Sequence, residues 1–108
     1  MTDDLQWHDA VAADELILGQ GKEILVAGRI VALFRDQDGV HALDGICPHQ
    51  GGPLAEGTIS AGCVTCPWHG WQYELKTGRH TISGRDLAEV FPTREVGGRI
   101  EVQIAPAS

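Results

Sequence analysis

The segment from residue 44 to residue 70 restricts what this chain can become more than any other. It holds all three cysteines, two of the five histidines, six glycines and three prolines of a 108-residue chain. A loop of that length inside a compact domain is functional rather than a mere connection. Ordering it costs ~1–2 kcal/mol per residue in backbone entropy. Metal–ligand bonds can offset that cost where an apolar core is missing.

The segment divides into two half-sites. Cys47-Pro48-His49 is a Cys-x-His pair, and Cys66-Pro67-Trp68-His69 is a Cys-x-x-His pair, with sixteen residues between His49 and Cys66. A proline directly after each cysteine stiffens the turn where the ligand leaves the backbone. Gly51-Gly52 and Gly70 follow the histidines and let backbone N–H groups approach a large anionic centre. Two thiolates and two imidazoles match two candidates. One is a tetrahedral structural zinc ion, and the other is a [2Fe–2S] cluster in which two histidines replace two cysteines on one iron. Zinc modules usually pair cysteine with cysteine and histidine with histidine. Here each short segment is mixed, which favours the two-iron cluster, with a zinc-stabilised interaction module as the lesser alternative.

Around the insertion the chain reads as short strands. Glu23–Ala27 and Ile30–Phe34 are rich in β-formers, the second of them apolar throughout. Asp38-Gly39 marks a turn before Val40–Leu43, and Gly97-Gly98 marks a two-residue hairpin between Thr93–Val96 and Arg99–Ile104. Fourteen glycines and five prolines agree with frequent turns. The one helix expected is a short turn over Arg85–Glu89, capped by Ser83. These elements predict an all-β fold in a single domain over 1–108, with antiparallel sheets and one long irregular insertion.

Fifteen acids against eight bases leave a formal charge of −7. That excess argues against nucleic-acid or anionic-membrane partners and for a partner with a basic face. Leu16-Ile17-Leu18 is too short to span a bilayer, and the acidic start Met1-Thr2-Asp3-Asp4 is unlike a signal peptide. An odd, small set of cysteines reads as reduced thiols or metal ligands, hence a cytoplasmic setting.

Cys47-Pro48-His49-Gln50-Gly51-Gly52-Pro53-Leu54 together with Cys66-Pro67-Trp68-His69-Gly70-Trp71-Gln72-Tyr73 resembles the Rieske iron–sulfur domain in both boxes and in their separation. The resemblance implies a small Rieske domain whose cluster-binding subdomain is made of two loops, an insertion over about 44–75. It implies one [2Fe–2S] cluster per chain, with Cys47 and Cys66 on the buried iron and His49 and His69 on the outer one. Gln50, Gly51, Gly52, Pro53, Trp68, Gly70, Trp71 and Tyr73 would line the cluster or form a docking rim. The Thr77-Gly78 turn also fits the family's soluble ferredoxins.

Departures from the family carry information. Respiratory Rieske proteins join their two loops by a disulfide, and the corresponding positions here are Gly52 and Trp68. Their serine donor to a bridging sulfide is replaced by Trp71, whereas Tyr73 matches the family's tyrosine. Fewer hydrogen bonds to sulfur lower the potential, so the resemblance implies a value in the lower part of the family range of about −150 to +300 mV. The family's third covering loop has no clear counterpart, and Ser83-Gly84-Arg85-Asp86 is the candidate for it.

Only 35 residues and one further histidine, His80, follow Tyr73. That leaves no room for the 2-His-1-carboxylate iron site of a terminal oxygenase. By resemblance the chain is a non-catalytic one-electron carrier between a flavin-containing NAD(P)H-dependent ferredoxin reductase and a terminal oxygenase, and a monomer. The alternative is the small Rieske-like subunit of an assimilatory nitrite reductase. Cys63 reads as a small buried hydrophobe on a strand leading to the second loop. His8, His41 and His80 read as surface or strand-face residues, and Trp7 as N-terminal packing.

Overall fold

The computed structural model describes residues 6–47, 51–68 and 70–104. Ten strands run through them: β1 (Gln6–Ala12), β2 (Gly21–Val26), β3 (Arg29–Asp36), β4 (Gly39–Asp44), β5 (Thr58–Ser60), β6 (Cys63–Thr65), β7 (Gln72–Glu74), β8 (Val90–Phe91), β9 (Thr93–Val96) and β10 (Arg99–Ile104). They form three antiparallel sheets, ordered β1-β10-β9, β2-β3-β4-β8 and β5-β6-β7. Short 3₁₀ turns at Ala13–Glu15 and Leu54–Glu56 complete the regular structure of the described residues.

Turn chemistry sets the hairpins. Ala27-Gly28, Ala61-Gly62 and Gly97-Gly98 all have positive φ at both positions, the two-residue geometry whose twist matches that of paired strands. The Gly97-Gly98 and Asp38-Gly39 turns stand where the sequence places them. At the latter the Asp36 carboxylate accepts from the Asp38 N–H at 2.9 Å.

β3 explains the apolar run at 30–34. Val31 and Leu33 point into one core with Val11, Val26, Ala42, Phe91, Ile100, Val102 and Ile104. Ala32 and Phe34 point the other way, into a second core with Leu54, Val64, Tyr73, Leu75 and both Cys47 and Cys66. A strand buried on both faces has no polar face to alternate with. This strand is therefore the wall between a β base and the insertion.

Three features differ from the sequence reading. The insertion is not irregular throughout, because β5, β6 and β7 build a small sheet inside it. Each strand is three residues long, too short for a periodic signal. β1 carries no clear alternation, since its register against β10 shifts between Asp9 and Val11. Residues 85–89 form no helix. The His80 N–H donates to the Arg85 carbonyl at 2.8 Å, the Ala88 N–H to Gly78 at 3.0 Å, and the Glu89 carbonyl accepts from Asp44 at 2.9 Å. Backbone pairing with neighbouring segments overrides a weak local propensity. Ser83 caps a turn there, accepting from the Arg85 N–H at 3.3 Å.

Candidate metal centre

The two boxes fold into matching frames. In the first, the Cys47 N–H donates to the Gly52 carbonyl at 2.8 Å and the Gly51 N–H donates back to Cys47 at 2.8 Å. In the second, the Cys66 N–H donates to the Trp71 carbonyl at 2.7 Å. Each cysteine thus closes a loop on the residue five positions later. The first frame rests on the bridge Ile46–Pro53, and the second on β6 and β7. Gly51 and Gly70 take φ of 76° and 74°, which lets each loop turn back without strain.

The frames touch. A Cβ on Gly52 would lie 2.9 Å from the Trp68 ring, so the absence of a side chain at 52 seats that indole. Gly52 and Trp68 are the positions where the resemblance places the respiratory disulfide. An aromatic ring on a glycine makes the inter-loop contact here.

Cys47 and Cys66 are each 1% exposed and adjoin one another within the second core. None of the three cysteines is joined to another by a disulfide. Burial pushes the Cys66 thiol up; the Trp68 backbone N–H works against this by donating to its sulfur, and the neighbouring Cys47 sulfur raises it further. Tyr73, fully buried, places its hydroxyl 3.3 Å from Cys47 Sγ. Two adjoining buried cysteines, one with its thiol pushed up and each with an N–H or O–H donor on its sulfur, suit a cationic iron centre that holds them as thiolates. The assignments to Pro48, His49, Gln50 and His69 lie outside the described residues.

Trp68 stays 49% exposed, whereas Trp71 is half-buried. Trp71 stacks on His80, with centroids 4.3 Å apart and planes at 15°. His80 corrects the sequence reading: it is 5% exposed and lies within the fold rather than on its surface. The signal for it was the Thr77-Gly78 turn. Extended into a hairpin, that turn puts His80 opposite Tyr73, and the two form an antiparallel bridge. His41, opposite Phe34 and so on the same face of β3 and β4, pairs with Asp36 at 2.9 Å, and His8 lies half-buried on β1. Cys63 sits on β6 opposite Glu74, its thiol pushed up by burial and by that carboxylate.

Residues 6–90 match the family described as the Rieske [2Fe–2S] domain. The chain belongs to the Rieske family. Its relatives include the ferredoxin component of the alkene monooxygenase system of Xanthobacter autotrophicus, 32% identical over 105 residues that span 96% of this chain and 86% of the relative. A solved structure from Mycobacterium tuberculosis, named as an NADH-dependent nitrite reductase small subunit, superposes with a TM-score of 0.87 at 32% identity, covering 97% of this chain and 100% of that one. The ferredoxin of carbazole 1,9a-dioxygenase from Nocardioides aromaticivorans gives 0.81 at 26% identity, covering 92% and 96%. Other Rieske relatives are much longer. The chain spans only 16% of the cholesterol 7-desaturase of Hemicentrotus pulcherrimus, to which it is 40% identical over 75 residues, 68% of this chain. The family's cofactor is the Rieske [2Fe–2S] cluster. No helix of the described residues is long and apolar enough to cross a membrane.

Proposed function

We propose that this Rieske protein is a one-electron carrier, a non-catalytic ferredoxin that takes electrons from a flavin-dependent NAD(P)H reductase and delivers them to a terminal oxygenase. The observation that carries the reading is the pair of buried, adjoining thiols at the base of two matching frames, with the Tyr73 hydroxyl on one sulfur. Cys47 and Cys66 through their sulfurs, and His49 and His69 through their imidazoles, would hold the two irons of the cluster. When bound, the [2Fe–2S] group stores a single electron. The chain's own residues do the rest. Ala32, Phe34, Leu54 and Leu75 wall the sulfurs off from water. Trp68 and Ile46, 49% and 46% exposed, offer an apolar rim beside the loops. The ferredoxin relatives of similar length support a carrier that acts as one domain over 1–108, and we propose that it works as a monomer in the cytoplasm.

The purified protein is expected to be red-brown with two irons and two sulfides per chain, and to bleach with dithionite. A colourless protein with one zinc per chain would overturn the reading. His69→Cys should change the visible spectrum, and an unchanged spectrum would remove His69 from the ligand set. Association with the reductase should weaken as salt rises, because an acidic chain docks on a basic face.

The likeness to the M. tuberculosis structure favours a second reading, a small subunit held in an assimilatory nitrite reductase. A chain that co-purifies in fixed ratio with that enzyme, and passes no electrons as a free protein, would replace the first reading with the second.

A further inference from the structure

We propose that His80 is a positioning residue for the two cysteine frames, acting on the sulfur end of the site through Tyr73 and Trp71. The inference rests on the carrier reading above and adds to it a residue that neither the two boxes nor their spacing indicates.

One ring stands behind both frames. The His80 imidazole stacks on Trp71 at 4.3 Å, and the Trp71 carbonyl closes the second loop by accepting from the Cys66 N–H. The same imidazole lies tilted against Tyr73, with centroids 5.7 Å apart, and the Tyr73 hydroxyl sits on Cys47 Sγ. The bridge between Tyr73 and His80, together with the Thr81 N–H donating to Gln72 at 3.0 Å, fixes the backbone register behind β7.

The imidazole is itself anchored. Its Nδ1 lies 2.8 Å from the Ser83 hydroxyl and accepts from the Ser83 backbone N–H at 3.4 Å. A backbone N–H can only donate, so the neutral ring carries its proton on Nε2. That Nε2 is buried and has no hydrogen-bond partner among the described residues. An unsatisfied buried donor weakens a fold, and an apolar ring would fill the same space without it. What a phenylalanine could not do is tie the stack to the 80–85 turn through Nδ1. The turn closes on the same residue, with the Gly84 N–H donating to the His80 carbonyl at 2.8 Å. The 81–85 segment, looked for as a covering loop, thus serves as the strut that holds one ring against Tyr73 and Trp71.

Removing the ring leaves space behind Tyr73, and a buried phenol free to shift no longer keeps its hydroxyl at bonding distance from the sulfur. Hydrogen bonds to cluster sulfurs favour the reduced state, so loosening this one lowers the potential. The effect must run through the phenol.

The test is a redox titration of the holoprotein in four forms: wild type, His80→Ala, Tyr73→Phe and the double variant. His80→Ala is expected to shift the oxidised-to-reduced ratio at fixed potential by roughly threefold, ~28 mV lower at 59 mV per tenfold for one electron. In the Tyr73→Phe background the same substitution should move it by much less. A His80→Ala potential equal to wild type, or an equal shift in both backgrounds, would overturn the inference and leave His80 a packing residue. Should His80→Ala fail to fold, Ser83→Ala weakens the strut by removing the hydroxyl that holds Nδ1 and caps the Arg85 N–H, leaving only the backbone N–H of residue 83 on the ring. It is expected to lower the potential in the same direction and only while Tyr73 is present, and no shift would refute the strut. A wild-type protein without cluster colour would instead defeat the carrier reading, a separate outcome read from the visible spectrum before any titration.

Discussion

Tyr73→Phe is the sharpest single probe of the sulfur end of the site. Tyr73 is fully buried and packs in the core that also holds Cys47, so phenylalanine fills nearly the same volume and removes one hydroxyl. The hydroxyl lies 3.3 Å from Cys47 Sγ, a normal distance for a sulfur acceptor. A hydrogen bond to a charged acceptor contributes ~1.5–3 kcal/mol. Only the part that strengthens when the acceptor gains charge affects the potential. If that part is about half, the difference between redox states is ~0.7–1.4 kcal/mol, which for one electron is ~30–60 mV. The sign is fixed: the phenol stabilises the more negative state, so its loss lowers the potential.

The assay is a spectroscopic redox titration of wild type and variant in one buffer, with thermal melting as the control. Stability should change little, since the substitution leaves no buried polar group on the tyrosine's side of the contact. A potential equal to or above that of wild type, in a variant that melts normally and holds its iron, would refute the reasoning. The phenol would then be an element of packing and not a donor to the sulfur.

Three further outcomes follow from the geometry. Gly78 has φ of 73°, and a Cβ there would run into the Ala88 carbonyl, so Gly78→Ala should cost about 2–4 kcal/mol in denaturant unfolding; a variant as stable as wild type would show that the 78–88 contact is not held this tightly. Trp68→Ala removes the ring seated on Gly52 and should destabilise the holoprotein by about 2 kcal/mol, from roughly half a tryptophan's area at ~25 cal/mol per Å², with iron lost faster on heating. Unchanged iron retention would remove that contact as the link between the loops. For the Asp36 carboxyl, burial raises the pKa, but hydrogen bonds from His41 and the Asp38 N–H outweigh it and hold the group below the ordinary carboxylate range. A lowered pKa stabilises the fold above the unfolded value of about 3.9 and loses that contribution as pH falls further. The stability gap between wild type and Asp36→Asn, about 1 kcal/mol at neutral pH, should therefore close as pH drops below about 4. A gap that persisted at pH 2–3 would refute the linkage.

The sequence made the base legible because its hairpins rest on local chemistry. Glycine-bearing turns at 38–39 and 97–98 and the alternation of β10 are written within a few residues of one another. The continuous apolar run of β3 was legible too, although its meaning, one strand shared by two cores, needed the structure. Residue type and spacing marked out the two boxes, and the family they resemble is the one the chain belongs to. What sequence could not supply was anything decided by a partner far along the chain. β1 is a strand because β10, about ninety positions away, pairs with it, and the Arg99 side chain donates to the Asp9 carboxylate at 2.8 Å and 2.6 Å. Residues 85–89 stay extended because Gly78, His80 and Asp44 take their hydrogen bonds. His80 looked like a surface histidine because the Thr77-Gly78 turn, which sets it opposite Tyr73, does not by itself announce the stack on Trp71.

The doubly buried strand also explains how so short a chain can hold so long an insertion. β5, β6 and β7 are too short to make a stable sheet on their own. They pack instead on residues donated from the base: Ala32 and Phe34 of β3, and Leu43 of β4, all fully buried beside Cys47, Cys66 and Tyr73. A Cβ on Gly45 would collide with the Ile30 side chain, and the Gly45 N–H donates to the Ile30 carbonyl at 2.9 Å, so the first frame is stitched to β3 where it leaves the base. The second frame is held at the far end, where the Leu75 N–H donates to Gly62 at 2.9 Å across the β6–β7 edge. The sulfurs are therefore fixed by the same strand that fixes the β base. A substitution that loosens β3 must disturb the environment of both cysteines, however far from the loops it lies in sequence.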